Sequence, residues 1–239
     1  MITAIKHTRR ILVLLLVVLL GACSSGNSDK IEITTEWIPL SDGVRLSADL
    51  YWPAGVSKDE HYPVLLEYTP YRKHESRDRN YSMYSYFLDH GYVVARVDIR
   101  GTGNSEGHTI PYEYSDIELD DGEEVIDWLS KQDWSNGNVG MFGISWGGFN
   151  SIQMATRNPP ALKAFVAMMA TEYLYLEDVH YMDGIIHTDS WMMSHDLYNS
   201  MPGAPEFKLD DDWVRNRLDA KPSVSLCLPC QERHELTGE

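Results

Sequence analysis

Asn138-Val139-Gly140-Met141-Phe142-Gly143-Ile144-Ser145-Trp146-Gly147-Gly148-Phe149 is the stretch whose reading decides the fold of this chain. Its first five residues read as a short buried strand, and Gly147 to Arg157 reads as a helix. Between them lies Gly143-Ile144-Ser145-Trp146-Gly147, a G-x-S-x-G pattern. A serine on so sharp a strand-to-helix corner takes strained backbone angles. Flanking glycines let the two backbones pass closely. The pattern alone is short enough to arise by chance. The strand before it and the helix after it single out Ser145 as the candidate nucleophile. The helix N-terminus also points free amides and its positive dipole end at the serine. Acyl transfer needs donors aimed at a developing oxyanion, and the backbone N–H of Trp146, the residue after the nucleophile, is the first candidate.

Working outward, Ile31–Leu40 and Val44–Trp52 alternate in polarity around Ser41-Asp42-Gly43 and predict an antiparallel hairpin. Pro63–Tyr68 and Tyr92–Asp98 read as buried strands, Tyr81–His90 and Asp120–Ser130 as helices, and Leu162–Met169 as a further strand. Strands alternating with helices after a hairpin predict an α/β fold. Its sheet is doubly wound and mostly parallel, with helices on both faces, and the core spans residues 31–170. The second oxyanion donor must come from the loop after Pro63–Tyr68. That loop reads Thr69-Pro70-Tyr71-Arg72-Lys73 and has no glycine-rich run. A tyrosine hydroxyl would serve there, although by residue type alone Tyr71 is more often a packing residue.

Three linked motifs carry a resemblance. They are Thr69-Pro70-Tyr71, then Asp98-Ile99-Arg100-Gly101-Thr102-Gly103-Asn104-Ser105-Glu106-Gly107, then Gly143-Ile144-Ser145-Trp146-Gly147. Asp42-Gly43-Val44-Arg45-Leu46 and Ala48-Asp49-Leu50-Tyr51 add an opening hairpin. Together they resemble the cocaine esterase, X-prolyl dipeptidyl aminopeptidase and α-amino-acid ester hydrolase family of α/β-hydrolases, from about Trp37 to about Pro222. The resemblance implies that the Tyr71 hydroxyl is the second oxyanion donor. It also implies cleavage of esters or amides through an acyl-enzyme, with no metal and no organic cofactor. The Arg100–Gly107 stretch is expected to buttress the site, with no chemical role for Asp98 or Glu106.

The base and its orienting acid should follow the nucleophile in the order Ser, Asp or Glu, His. The histidines after Ser145 are His180, His187, His195 and His234. The first three fall in residues 171–222, a stretch rich in Tyr, Trp, Met, His and Asp that reads as part of a helical cap. His234 falls in the tail 223–239, which no longer resembles the family. The expectation is a sheet incomplete at the C-terminus, its Leu162–Met169 strand left as an exposed edge, and a truncated chain inactive by itself. The competing readings are an envelope lipoprotein that binds peptides or acyl compounds in the same cleft without catalysis, and a helical interaction module in 171–239.

The first 22 residues read as an address. Lys6, Arg9 and Arg10 precede an apolar run from Ile11 to Leu20, too short to span a bilayer comfortably. Leu20-Gly21-Ala22-Cys23 resembles the lipobox of bacterial lipoproteins, which implies lipidation of Cys23 and a polar tether over residues 23–30. Ser24, in place of an aspartate, favours the outer membrane, facing the periplasm. Cys227 and Cys230 form a lone C-x-x-C without the partner pair of a zinc site or the βαβ setting of a redox motif. The net charge is −16, and none of the acidic residues lies before Cys23. Such a surface repels phosphates and excludes a nucleic-acid partner. The expected partner is a small ester or a short peptide, with the membrane reached through Cys23.

Overall fold

The computed structural model describes residues 31–177, except 54, 58, 75–76 and 109–113, together with residue 215. The address segment, Cys23 and its tether, most of the 171–222 stretch and the 223–239 tail lie outside the described residues. So do His180, His187, His195, His234, Cys227 and Cys230.

In chain order the elements are β1 (Glu32–Pro39), β2 (Arg45–Trp52), β3 (Tyr62–Thr69), α1 (Arg77–Asp89), β4 (Val93–Asp98), α2 (Asp116–Ser130), β5 (Ser135–Ile144), α3 (Trp146–Arg157), β6 (Leu162–Met168) and the single turn α4 (Leu174–Glu177). β1 and β2 form the predicted antiparallel hairpin, Glu32 opposite Trp52 and Pro39 opposite Arg45. The turn closes with Gly43 at φ 91° and the Leu40 N–H donating to the Val44 carbonyl at 2.8 Å. Two helices begin a turn earlier than the apolar periodicity indicates. α2 starts at Asp116, behind an extended Ser115, with Asp116 and Glu118 in its first turn where the dipole favours acids. α1 starts at Arg77, four residues before Tyr81, and its first turn is wholly polar. α3 ends at Asn158 in the left-handed region, φ 54°, its N–H returned to the Met154 carbonyl, and Pro159 and Pro160 prevent continuation.

The six strands lie in the order β1-β2-β4-β3-β5-β6. β1, β2 and β4 pair antiparallel, whereas β4, β3, β5 and β6 run parallel. Period-two alternation divides the side chains between two layers. Val64, Leu66, Val93, Ala95, Val97, Val139 and Met141 face α2 and α3, and meet Val125, Ile126, Leu129 and Met154. Val94 and Phe142 face the other way and pack with Tyr84 and Leu88 of α1. Helices therefore cover both faces, as a doubly wound sheet requires.

Burial falls off sharply at one side. β6 is the outermost strand among the described residues, and Phe165 and Val166 are 46% and 58% exposed. Its neighbour in register, Met141 of β5, is 1% exposed. The two positions should therefore respond differently to truncation. Met141→Ala should cost about 3 kcal/mol and Phe165→Ala less than about 1 kcal/mol in urea unfolding. Equal losses would show that β6 is covered.

Candidate active site

β3 and β5 are neighbours, but their connections leave in opposite directions. β3 feeds α1 on one face and β5 feeds α3 on the other. The carboxyl ends of two such strands border the crevice where open α/β sheets bind ligands. Tyr71 follows β3, and Ser145 follows β5.

Ser145 occupies the corner with φ 55° and ψ −122°, half-buried at the N-terminus of α3. A non-glycine residue held there costs about 1–3 kcal/mol, so its surroundings must over-determine it. They do so through the backbone. The Ser145 N–H donates to the Met168 carbonyl at the end of β6 (2.9 Å), and the Ser145 carbonyl accepts from Gly148 (2.7 Å) and Phe149 (2.9 Å). A Cβ at Gly143 would lie 2.3 Å from the carbonyl carbon of Gly147, and one at Gly148 would lie 2.7 Å from the Met168 oxygen. Gly147 is different. A Cβ there would meet nothing nearer than the Tyr68 oxygen at 3.6 Å, an ordinary contact. The close approach is thus carried by Gly143 and Gly148, not by the second glycine of the five-residue motif.

The structure brings the three predicted residues of the site, Ser145, Trp146 and Tyr71, together. The Trp146 N–H donates to the Tyr71 hydroxyl oxygen at 3.2 Å. Tyr71 reaches this position on a short loop whose next residue, Arg72, takes φ 56°. The loop is locked from below by two buried aspartates. Lys73 donates its backbone N–H to Asp98 Oδ1 at 2.5 Å and its Nζ to Asp49 Oδ1 at 2.8 Å. Asp49 Oδ1 also accepts from Thr35 Oγ1 at 2.9 Å, and Lys73 Nζ lies 2.8 Å from His74 Nε2. Asp49, Lys73 and Asp98 are fully buried.

Asp98 also builds the loop that follows β4. Its Oδ2 accepts the Asn104 N–H at 3.0 Å, and its carbonyl accepts the Ser105 hydroxyl at 2.6 Å. Ser105 in turn accepts the Ser47 N–H of β2 at 2.9 Å. The 100–107 stretch therefore acts as the expected buttress, tying the end of β4 to the hairpin and to the Tyr71 loop. Burial pushes the Asp98 carboxyl up to about 6, against the pull of the Lys73 charge and of the two backbone N–H groups. Asp49 and Lys73 were not singled out from sequence. In a strand and a polar loop they look like any exposed pair, and only the packing of β2 under the loop buries them.

Between Ser145 and Glu177 the chain contains no histidine. The four candidate bases lie outside the described residues. Among the described residues no group of three or more His, Cys, Asp or Glu side chains is placed to hold a metal ion.

A doubly wound sheet in the order 1-2-4-3-5-6, with a left-handed serine between β5 and the next helix, defines the class as the α/β-hydrolase fold. The sequence pattern of the X-Pro dipeptidyl-peptidase (S15) family matches residues 42–236, and the chain belongs to that family. It is 37% identical over 140 residues to the cocaine esterase of Rhodococcus sp. (strain MB1 Bresler), covering 58% of this chain and 23% of that protein. A CocE/NonD family hydrolase from Staphylococcus aureus shares the fold, with a TM-score of 0.60 at 24% identity over 78% of this chain and 38% of that one. An α-amino-acid ester hydrolase superposes with a TM-score of 0.54 at 28% identity, covering 66% of this chain and 28% of that one. The chain spans about a quarter of the length of the first curated relatives it matches.

Two outcomes follow from the geometry. Gly143→Ala should lose about 2 kcal/mol or more in urea unfolding, because backbone must move, while Gly147→Ala should stay within about 0.5 kcal/mol. The second concerns pH. A carboxyl whose native pKa is raised favours the folded state below its unfolded pKa, and loses that contribution as pH rises through the native value. The difference in unfolding free energy between wild type and Asp98→Asn should therefore shift against wild type from about pH 4 to about pH 6. Parallel curves for the two proteins over that range would show that the native carboxyl titrates where the unfolded one does.

Proposed function

We propose that this chain carries the nucleophile and the oxyanion site of a serine hydrolase that cleaves ester or amide bonds, X-Pro dipeptidyl bonds among them, through an acyl-enzyme on Ser145. The observation that carries the proposal is the convergence of Ser145, the Trp146 N–H and the Tyr71 hydroxyl at one switch point, with Tyr71 Oη 3.2 Å from Trp146 N. Membership of the S15 family and likeness to esterases support the same reading.

In this reading Ser145 Oγ attacks the substrate carbonyl as its proton passes to a histidine. The carbonyl oxygen gains the negative charge and accepts from the Trp146 N–H and the Tyr71 O–H. Collapse of the tetrahedral intermediate breaks the bond to the alcohol or amine, which takes the proton. Water then repeats the sequence on the acyl-enzyme and frees the acid. The base and its orienting acid are not identified in this chain: His180, His187, His195 and His234 are the histidines that follow Ser145, and none of them is assigned the role. Attachment to the outer membrane through a lipid on Cys23 belongs to the same proposal and rests on the leader sequence alone.

The test is a fluorophosphonate probe applied to the full chain. Slow labelling is expected at Ser145, absent from Ser145→Ala and reduced ~100–1000-fold in Tyr71→Phe, in line with the loss of one oxyanion donor. Label that survives Ser145→Ala, or no serine-dependent label, overturns the assignment. Labelling as fast as that of a complete serine hydrolase would overturn the expectation that the chain is inactive by itself, and would place the base within it.

A further inference from the structure

We propose that Glu118 is the positioning residue of the oxyanion site, acting through Trp146; this rests on the reading of Ser145 and Trp146 given above. Glu118 lies in the first turn of α2 and is 1% exposed. Its Oε1 accepts from the Trp146 indole Nε1 at 2.7 Å and from Asn150 Nδ2 at 2.7 Å, and its Oε2 accepts from the Tyr114 backbone N–H at 3.0 Å. Its carbonyl accepts from the Tyr68 hydroxyl at 3.2 Å. Asn150 Nδ2 also lies 3.4 Å from the Tyr68 carbonyl, at the end of the strand that leads into the Tyr71 loop.

One carboxylate thus holds the first turn of α3 at two places, residues 146 and 150, and joins it to α2 and β3. Trp146 is fixed from both sides. Its main-chain N–H faces Tyr71, and its side-chain N–H is anchored on Glu118. The indole packs edge-on against Tyr114, ring centroids 5.5 Å apart, and Tyr114 lies 5.0 Å from Phe149. Packing alone would accept any rotation of the ring that keeps this contact. The charge-assisted bond does not, because it has a direction. A buried carboxylate is costly, and replacing such a group by apolar atoms is often neutral for stability. What apolar atoms would not supply here is the fixed placement of the residue whose amide faces the oxyanion.

The experiment has two arms on the full chain. In the first, ¹⁵N–¹H spectra follow the backbone amide and indole N–H of Trp146, the indole signal being identified by its absence in Trp146→Phe. Glu118→Gln should move the backbone amide as well as the indole. In the second, the rate of fluorophosphonate labelling at Ser145 should fall about tenfold in Glu118→Gln, as expected for a displaced rather than deleted donor. Trp146→Phe keeps the main-chain N–H and removes the indole donor. It should show a similar fall, and the double variant should fall by less than the product of the two, because the bond from the indole to Glu118 is common to both. If Glu118→Gln unfolds, Trp146→Phe carries the rate measurement alone. A folded Glu118→Gln with an unmoved Trp146 amide and an unchanged rate overturns the proposal, as does strict additivity in the double variant. A wild-type chain without any label at Ser145 overturns the hydrolase reading instead, and the amide arm still decides the role of Glu118.

Discussion

Ser145 stands at positive φ between β5 and α3, and that corner places both its own side chain and the Trp146 N–H at the crevice. Its strain is held by three backbone hydrogen bonds, one to the end of β6 and two within the first turn of α3. The bonds form only because Gly143 passes against Gly147 and Gly148 passes against Met168 without side chains between them. The corner also explains why β6 matters to the site although it lies at the margin of the described sheet. Its last carbonyl is the acceptor that fixes the serine N–H, so a shift of β6 would be felt first at residue 145.

Two buried carboxylates extend this control to the groups around the serine. Asp98 stands below the Tyr71 loop and Glu118 stands behind Trp146. Both accept backbone N–H groups from irregular segments, 73 and 104 for Asp98 and 114 for Glu118, where no strand or helix partner is available. Each converts a loop that would otherwise sample many conformations into part of the rigid sheet. Burial raises the Asp98 carboxyl, so this placement works against its charged form. Burial outweighs the stabilisation from its donors, so Asp98 serves geometry at the expense of folding free energy above about pH 6.

The fold was legible because its signals are local. Strand alternation, the Ser41-Asp42-Gly43 turn and the glycines at 143 and 148 each speak within a few residues. The positions of Ser145 and Trp146 at one corner were legible for the same reason, whereas the role expected of Tyr71 came from the family resemblance and not from a local signal. Helix starts were less so. Arg77–Asn80 is wholly polar, and Asp116–Leu119 sets its two apolar residues, Ile117 and Leu119, two apart, so helical apolar periodicity marks neither start. Asp49, Lys73 and Glu118 were illegible. Glu118 looks like any acid in a helix first turn, and its burial depends on Trp146 and Asn150, about 30 residues later in the chain. Long-range packing decides that an ordinary dipole-favoured glutamate becomes an anchor.

The contact between Trp146 and Tyr71 bears on how the proposed site would meet an oxyanion. At 3.2 Å the amide already donates to the phenol oxygen, so neither group must be drawn in from solvent when a substrate carbonyl arrives. The exchange replaces a neutral acceptor with a charged one. Hydrogen bonds to ionised acceptors are shorter and stronger than neutral ones. The gain is therefore confined to the moment when charge develops on the oxygen, which is where differential binding accelerates a reaction. Such a gain requires that the two donors stay in place while charge appears. Asp98 under one and Glu118 behind the other supply that constraint, and neither needs to touch the substrate to do so.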